Sequence, residues 1–218
     1  MPGVLSVSAG SVGDDDLPFG QDVLYVSVGM SPDASADQVV DVLDELDREL
    51  DQDEIETIEV RMSHPLTRLT IGGDLHDLDE LAGDLVAAHG DSEVLLYERD
   101  PSQVSLRLTT ADFDSVVAAA DRYGDAGHPD SVSVVAGRFE LERARADPDP
   151  GLTADRTAFV QRVDDEVGLS GAVVSSNGPL ELWTDWEHRD TVRAFLAADP
   201  EADGLGPVVV RTHGIPGE

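Results

Sequence analysis

Cysteine is absent from the 218-residue sequence, which excludes disulfides, thiolate nucleophiles and Cys-ligated metals. Lysine is absent as well: all 14 cationic side chains are Arg, set against 46 Asp plus Glu for a formal charge of -32. Nucleic acid and anionic membrane are held chiefly by Lys and Arg that neutralise phosphate, so neither is expected as a partner. Aromatics make up only 5% of the chain, which leaves Val, Leu and Ala to build the core. No run approaches the roughly 18 apolar residues of a membrane helix, and the start of the chain has neither a basic segment nor an uninterrupted apolar one. As written the chain reads as cytoplasmic. Met1-Pro2-Gly3-Val4 nevertheless looks like a joint between a helix and a strand, and a targeting signal upstream of such a joint would not show in these residues.

Motifs that name a reaction are missing too. Gly-x-Ser-x-Gly and His-Glu-x-x-His do not occur, and Glu187-His188-Arg189-Asp190 lacks the Gly-rich loop, Asp-Phe-Gly and downstream Asn that a kinase catalytic loop requires. The Asp14-Asp15-Asp16 run lacks the alternate spacing that aims carboxylates at one Ca²⁺, so it reads as a solvated loop. No cofactor is expected.

What is present is acid in excess. The composition is similar to that of proteins adapted to high salt, whose acidic surfaces hold hydrated cations; a GC-rich genome also replaces Lys by Arg and remains the alternative. Self-repulsion at this charge weakens as salt shortens the Debye length.

Hydrophobic periodicity supplies an architecture. Val4 to Ser8 reads as a short strand and Ala9 to Gly20 as a loop. Val23 to Val28 is a strand, Ser31-Pro32 opens a helix, and Ser35 with Gln38 offers a capping box one turn later. Val39, Val42, Leu43, Leu46 and Leu50 form its inward stripe. Thr57 to Ile71 is a hairpin whose turn over Ser63 to Leu66 pairs Val60 with Leu69 and Ile58 with Ile71. Asp74 is placed as the cap of a helix closed by Gly90, and Glu93 to Glu98 as the returning strand. The pattern restarts at Gln103, and a last strand-helix-strand runs from Leu180 to Arg211. The expected fold is therefore α+β: tandem ferredoxin-like βαββαβ modules with antiparallel sheets, plus a fifth βαβ unit. The corresponding division is an N-terminal strand and acidic loop over 1–20, module one over 21–100, module two over 101–176, and the additional βαβ unit over 177–218, packed on module two or on the N-terminal strand.

Candidate site residues follow from this register. Arg61 and Arg68 fall opposite each other on the helix-free face of the hairpin, where like charges are unfavourable, with Tyr25 on the neighbouring strand able to stack on a guanidinium. Either Glu59 or another acid bridges them, or they seat an anionic ligand or a partner's acidic edge. Trp183 is expected in the core and Trp186 as an exposed contact point. Tyr25, Leu95 and Tyr97 are assigned to the open face. The leading expectation is a non-catalytic binding or interaction module that takes a protein partner, a second copy or a small anionic ligand. The competing one is a metal-assisted hydrolase or lyase using His64, Asp74 and His76.

Overall fold

The computed structural model describes residues 1–12, 23–49, 55–62, 66–72, 77–100, 102–124, 129–144, 150–176 and 178–213. They form eleven strands and five α-helices in two compact units. One unit is Met1–Ser105 with Asp125–Pro129, and the other is Leu106–Gly124 with Asp130–Glu218.

In the first unit the strands are β1 (Val4–Val12), β2 (Val23–Met30), β3 (Ile55–Met62), β4 (Leu66–Gly72) and β5 (Val94–Arg99), with helices α1 (Ala36–Glu49) and α2 (Leu78–Gly90). The α1 start is a capping box: Gln38 N–H donates to Ser35 Oγ at 3.3 Å while Ser35 N–H donates to Gln38 Oε1 at 3.0 Å. Ser31 to Ala34 form a turn ahead of it, closed by Ala34 N–H on the Ser31 carbonyl at 3.0 Å, so the helix begins later than Pro32 suggested. The hairpin register agrees with expectation: Val60 faces Leu69, Ile58 faces Ile71 and Arg61 faces Arg68. Asp74 lies outside the described residues. Asp77 precedes α2 with φ 58° and makes no side-chain cap.

Alternate residues of β2, β3 and β4 are buried, whereas Leu5 to Gly10 of β1 are exposed. Val26, Val28, Met30, Ile58, Val60, Met62 and Leu69 are buried, as are Val39, Val42, Leu43, Leu46, Leu81, Ala82 and Leu85 of the helices, and these residues make up the core of the unit. That inward row is a period-2 strand pattern laid on a helical stripe, and it places the intervening residues on the opposite, helix-free face. A Cβ on Gly29 would sit 2.5 Å from Ser6 Oγ, beside the bulge at Leu5, a contact that rotation of the exposed Ser6 hydroxyl relieves.

The second unit comprises the last part of β6 (Gln103–Leu108), then β7 (Ser131–Ala136), β8 (Phe139–Ala144), β9 (Gly171–Ser175), β10 (Leu180–Asp185) and β11 (Val208–His213), with α3 (Phe113–Tyr123), α4 (Pro150–Val167) and α5 (Arg189–Ala198). Asp112 caps α3 by accepting from Ser115 N–H at 2.7 Å. Gly137, φ 61°, makes the turn from β7 to β8. Phe113, Tyr123, Phe139, Leu141, Phe159, Val163, Leu180, Leu182 and Val192 form the core. Arg156 is 2% exposed and ties α4 to the chain around it, donating to the carbonyls of Leu205, Ser175 and Gly178 at 2.7–2.8 Å.

The ferredoxin-like expectation is corrected by the strand order. In a split βαβ arrangement another strand lies between the two strands that a helix connects. Here the strands of each unit lie side by side in chain order. In the first unit β1/β2 is antiparallel, β2/β3 parallel, β3/β4 antiparallel and β4/β5 parallel. In the second, β7/β8, β8/β9, β9/β10 and β10/β11 repeat that alternation. The sheet is thus mixed, each βαβ crossover returns to the adjacent position, and both units contain the same string, ββαββαβ. The element order was legible because it depends on local periodicity. A crossover that skips a strand and one that does not bury the same alternate side chains, so periodicity does not distinguish them.

Two local expectations also change. The N-terminal strand continues through Val12, pairing Ala9 to Val12 with Val26 to Val23, so its second half is not loop. Tyr97 is fully buried and in register with Thr67, whose Oγ1 lies 3.3 Å from His89 Nδ1 on α2, so it faces the helices and not the open side.

Candidate functional site: charge clusters on the helix-free faces

On the open face of the first unit, β2, β3, β4 and β5 contribute Tyr25 and Ser27, Glu59 and Arg61, Arg68, and Glu98 to one cluster. The strand register brings them together: Ser27 sits beside Glu59, Arg61 across from Arg68, and Arg68 beside Glu98. Glu59 lies between the two arginines, paired with Arg61 Nε and 3.5 Å from Arg68 Nη1, and accepts from Ser27 Oγ at 3.3 Å. Arg68 Nη2 reaches Glu98 at 2.6 Å, and Arg61 Nη2 donates to Tyr25 Oη at 3.2 Å. Tyr25 therefore meets Arg61 through its hydroxyl.

Two guanidiniums meet two carboxylates here, so the formal charge of the cluster cancels. Glu59 is on the outward face yet only 4% exposed, because the arginine side chains cover it. A carboxylate so placed must be paired, and it is. The guanidiniums keep contact with solvent, Arg61 at 54% and Arg68 at 41% exposed.

The second unit carries a related arrangement on its own helix-free face. Leu180, Leu182 and Thr184 of β10 are buried toward the helices, so Glu181 and Trp183 point the other way. Trp183 is accordingly half-buried on the open face and not a core residue. Arg211 of β11 grips Glu181 with two hydrogen bonds of 2.6 and 2.5 Å, and its guanidinium carbon lies 5.4 Å from the Trp183 ring centre. Those hydrogen bonds hold the Glu181 carboxyl below its ordinary value and push Arg211 up. Glu142 on β8 accepts from Ser175 on β9 at 2.9 Å. The first unit pairs Ser27 on β2 with Glu59 on β3, the same combination on equivalent strands in the opposite order.

Trp186 also belongs to the second unit, in the short 3-10 turn ahead of α5. It is 44% exposed, with the Arg189 guanidinium 5.3 Å from its ring centre. Periodicity missed the Glu181, Trp183 and Arg211 cluster. Its signal was available in β10, where Leu180, Leu182 and Thr184 alternate with Glu181 and Trp183.

His64, Asp74 and His76 lie outside the described residues. Among the described residues no group of three or more His, Asp or Glu is arranged to hold a metal ion, and no helix is long and apolar enough to cross a membrane. No protein-family model, curated protein or solved structure matches the chain, so its chemistry is read from its own residues.

Proposed function

We propose that the chain is a non-catalytic binding module, adapted to high salt, that docks a protein partner on the helix-free face of its first unit. The packing of Glu59 carries this reading. A carboxylate almost fully covered by two solvent-facing arginines, themselves steadied by Tyr25 and Glu98, presents oriented donors without net charge. Such a surface suits a polar protein interface, where ordered Arg and Tyr side chains make short-range hydrogen bonds that salt does not screen away. A small anionic ligand has a weaker electrostatic basis, since Glu59 and Glu98 already neutralise the cations it would seek. Trp186 with Arg189 offers an exposed aromatic contact on the second unit.

The test is cross-linking in a cell extract at molar KCl, followed by reconstitution with the purified captured protein. The Tyr25→Ala/Arg61→Lys/Arg68→Lys variant keeps the charges opposite Glu59 but removes the planar forks and the phenol. The wild type is expected to bind the reconstituted partner at least about tenfold more tightly than this variant, a difference of about 1.4 kcal/mol. Equal binding by the two proteins would refute the assignment of this face.

A further inference from the structure

Strand β1 is an edge. β2 pairs with one side of it, and among the described residues no strand pairs with the other. Proteins ordinarily guard such an edge with charge, Pro or a bulge, because its free N–H and C=O groups template the addition of another strand. Here the bulge at Leu5 ends the regular ladder, but Ser6 to Val12 pair without interruption and carry no ionisable side chain. This occurs in a chain of which 28% is charged. By contrast β11, unpaired on its outer side among the described residues, carries Arg211. Leu5 at 67% and Val7 at 53% exposed are among the few large apolar side chains left in solvent.

We propose that β1 is a homodimerisation edge, at which two copies of this chain pair their β1 strands antiparallel about a two-fold axis. Three features select a second copy over a foreign strand. A two-fold interface must be complementary to itself, and Ser6-Val-Ser-Ala-Gly-Ser-Val12 meets itself with no like-charge contact, which acid-bearing strands of this chain would not do. The antiparallel direction sets the two Val12 ends of β1, each followed in the sequence by Asp14-Asp15-Asp16, at opposite ends of the pair, whereas parallel addition would bring those ends together. The edge also offers no charge by which a basic partner would select so acidic a protein. Pairing extends the first unit's sheet, satisfies the outer backbone groups of both strands and reduces the exposure of Val7. Because each copy has a formal charge of -32, association strengthens as salt rises, the opposite of an interaction steered by unlike charges. The proposal is independent of the face assignment above, since edge and face are altered by different residues.

Sedimentation across a KCl series tests it. The wild type is expected to be dimeric at molar KCl and to dissociate as salt is lowered. Val7→Lys and Ser8→Asp, of opposite charge and both at exposed positions, are each expected to weaken dimerisation about tenfold or more, with far-UV circular dichroism unchanged. A wild type that stays monomeric at molar KCl overturns the proposal and leaves the edge to another protein's strand; so does a dimer that survives both substitutions. The absence of native cysteine permits a second readout that does not depend on those variants. Single cysteines placed from Val7 to Ser11 and treated with a short bifunctional maleimide should cross-link most strongly near the two-fold axis and less toward Val12. Cross-linking at every position would show parallel pairing, and none at any position in a dimeric protein would place the interface elsewhere; either result overturns the proposal.

Discussion

Replacing Glu59 by Gln removes a charge without removing volume, and the surrounding geometry sets what that costs. Two bounds apply. Breaking a fully buried ion pair costs about 3–5 kcal/mol, because the surviving partner is left charged in a dry site, while an exposed pair contributes about 0.2–1 kcal/mol. Glu59 is buried at 4% exposure, but its partners Arg61 and Arg68 are 54% and 41% exposed and rehydrate readily, so the cost lies nearer the lower bound. Two discounted ion pairs at about 0.5 kcal/mol each, and roughly 1 kcal/mol for a charge-assisted bond from Ser27 made weaker, come to about 2 kcal/mol. The facing guanidiniums add repulsion at low salt that fades as the Debye length shortens. For a chain of this length about 2 kcal/mol lowers Tm by about 4–8 °C. The assay is thermal unfolding of wild type, Glu59→Gln, Arg68→Ala and the double variant at low and molar KCl. A Tm deficit for Glu59→Gln that narrows with salt is expected, together with less than additive losses in the double variant. A Tm difference of less than about 1 °C at both salt concentrations, or strictly additive losses, would show that Glu59 does not bridge the arginines.

Three further outcomes are expected. Wild-type Tm should rise by about 5 °C or more between dilute buffer and molar KCl, because self-repulsion at a charge of -32 is screened; a flat profile in calorimetry would contradict this. Burial raises the pKa of Asp164 above its ordinary 3.8, with the negative charges of Asp165, Asp114 and Asp112 adding to it and the Leu169 N–H opposing it. The folded state therefore holds a proton that the unfolded chain has released, and stability falls as pH climbs from 3.8 through the raised value. Asp164→Asn, which keeps an oxygen acceptor for Leu169 N–H, should be more stable than wild type at neutral pH and lose that advantage below pH 3.8, as urea titrations across pH would show. Arg156→Met should cost about 3 kcal/mol or more by leaving three carbonyls of the second unit without their donor; a loss below about 1 kcal/mol in urea unfolding would mean that water replaces it.

The candidate sites divide along the same line as the fold. Arg61 opposite Arg68 was readable because hairpin register depends on neighbouring residues, since a one-residue slip would have turned Ile58, Val60 and Leu69 to solvent. Glu98 at 2.6 Å from Arg68 was not readable, since their contact requires β5 to lie beside β4 after a helical crossover. Tyr97 was misassigned for a related reason: Val94 and Tyr97 are both buried while Leu95 is exposed, which breaks strict alternation in β5.

Sequence alone determined the order of strands and helices, the Ser35 and Gln38 cap, the inward rows of α1, β3 and β4, and the hairpin register. All of these rest on periodicity or on contacts within a few turns of chain. Only the tertiary structure decided that each crossover returns to the adjacent strand, that among the described residues β1 is paired on one side alone, and that Glu59 is covered by the arginines it neutralises. Those outcomes depend on which strands become neighbours, and a pattern of alternate buried side chains is the same whichever strand lies alongside.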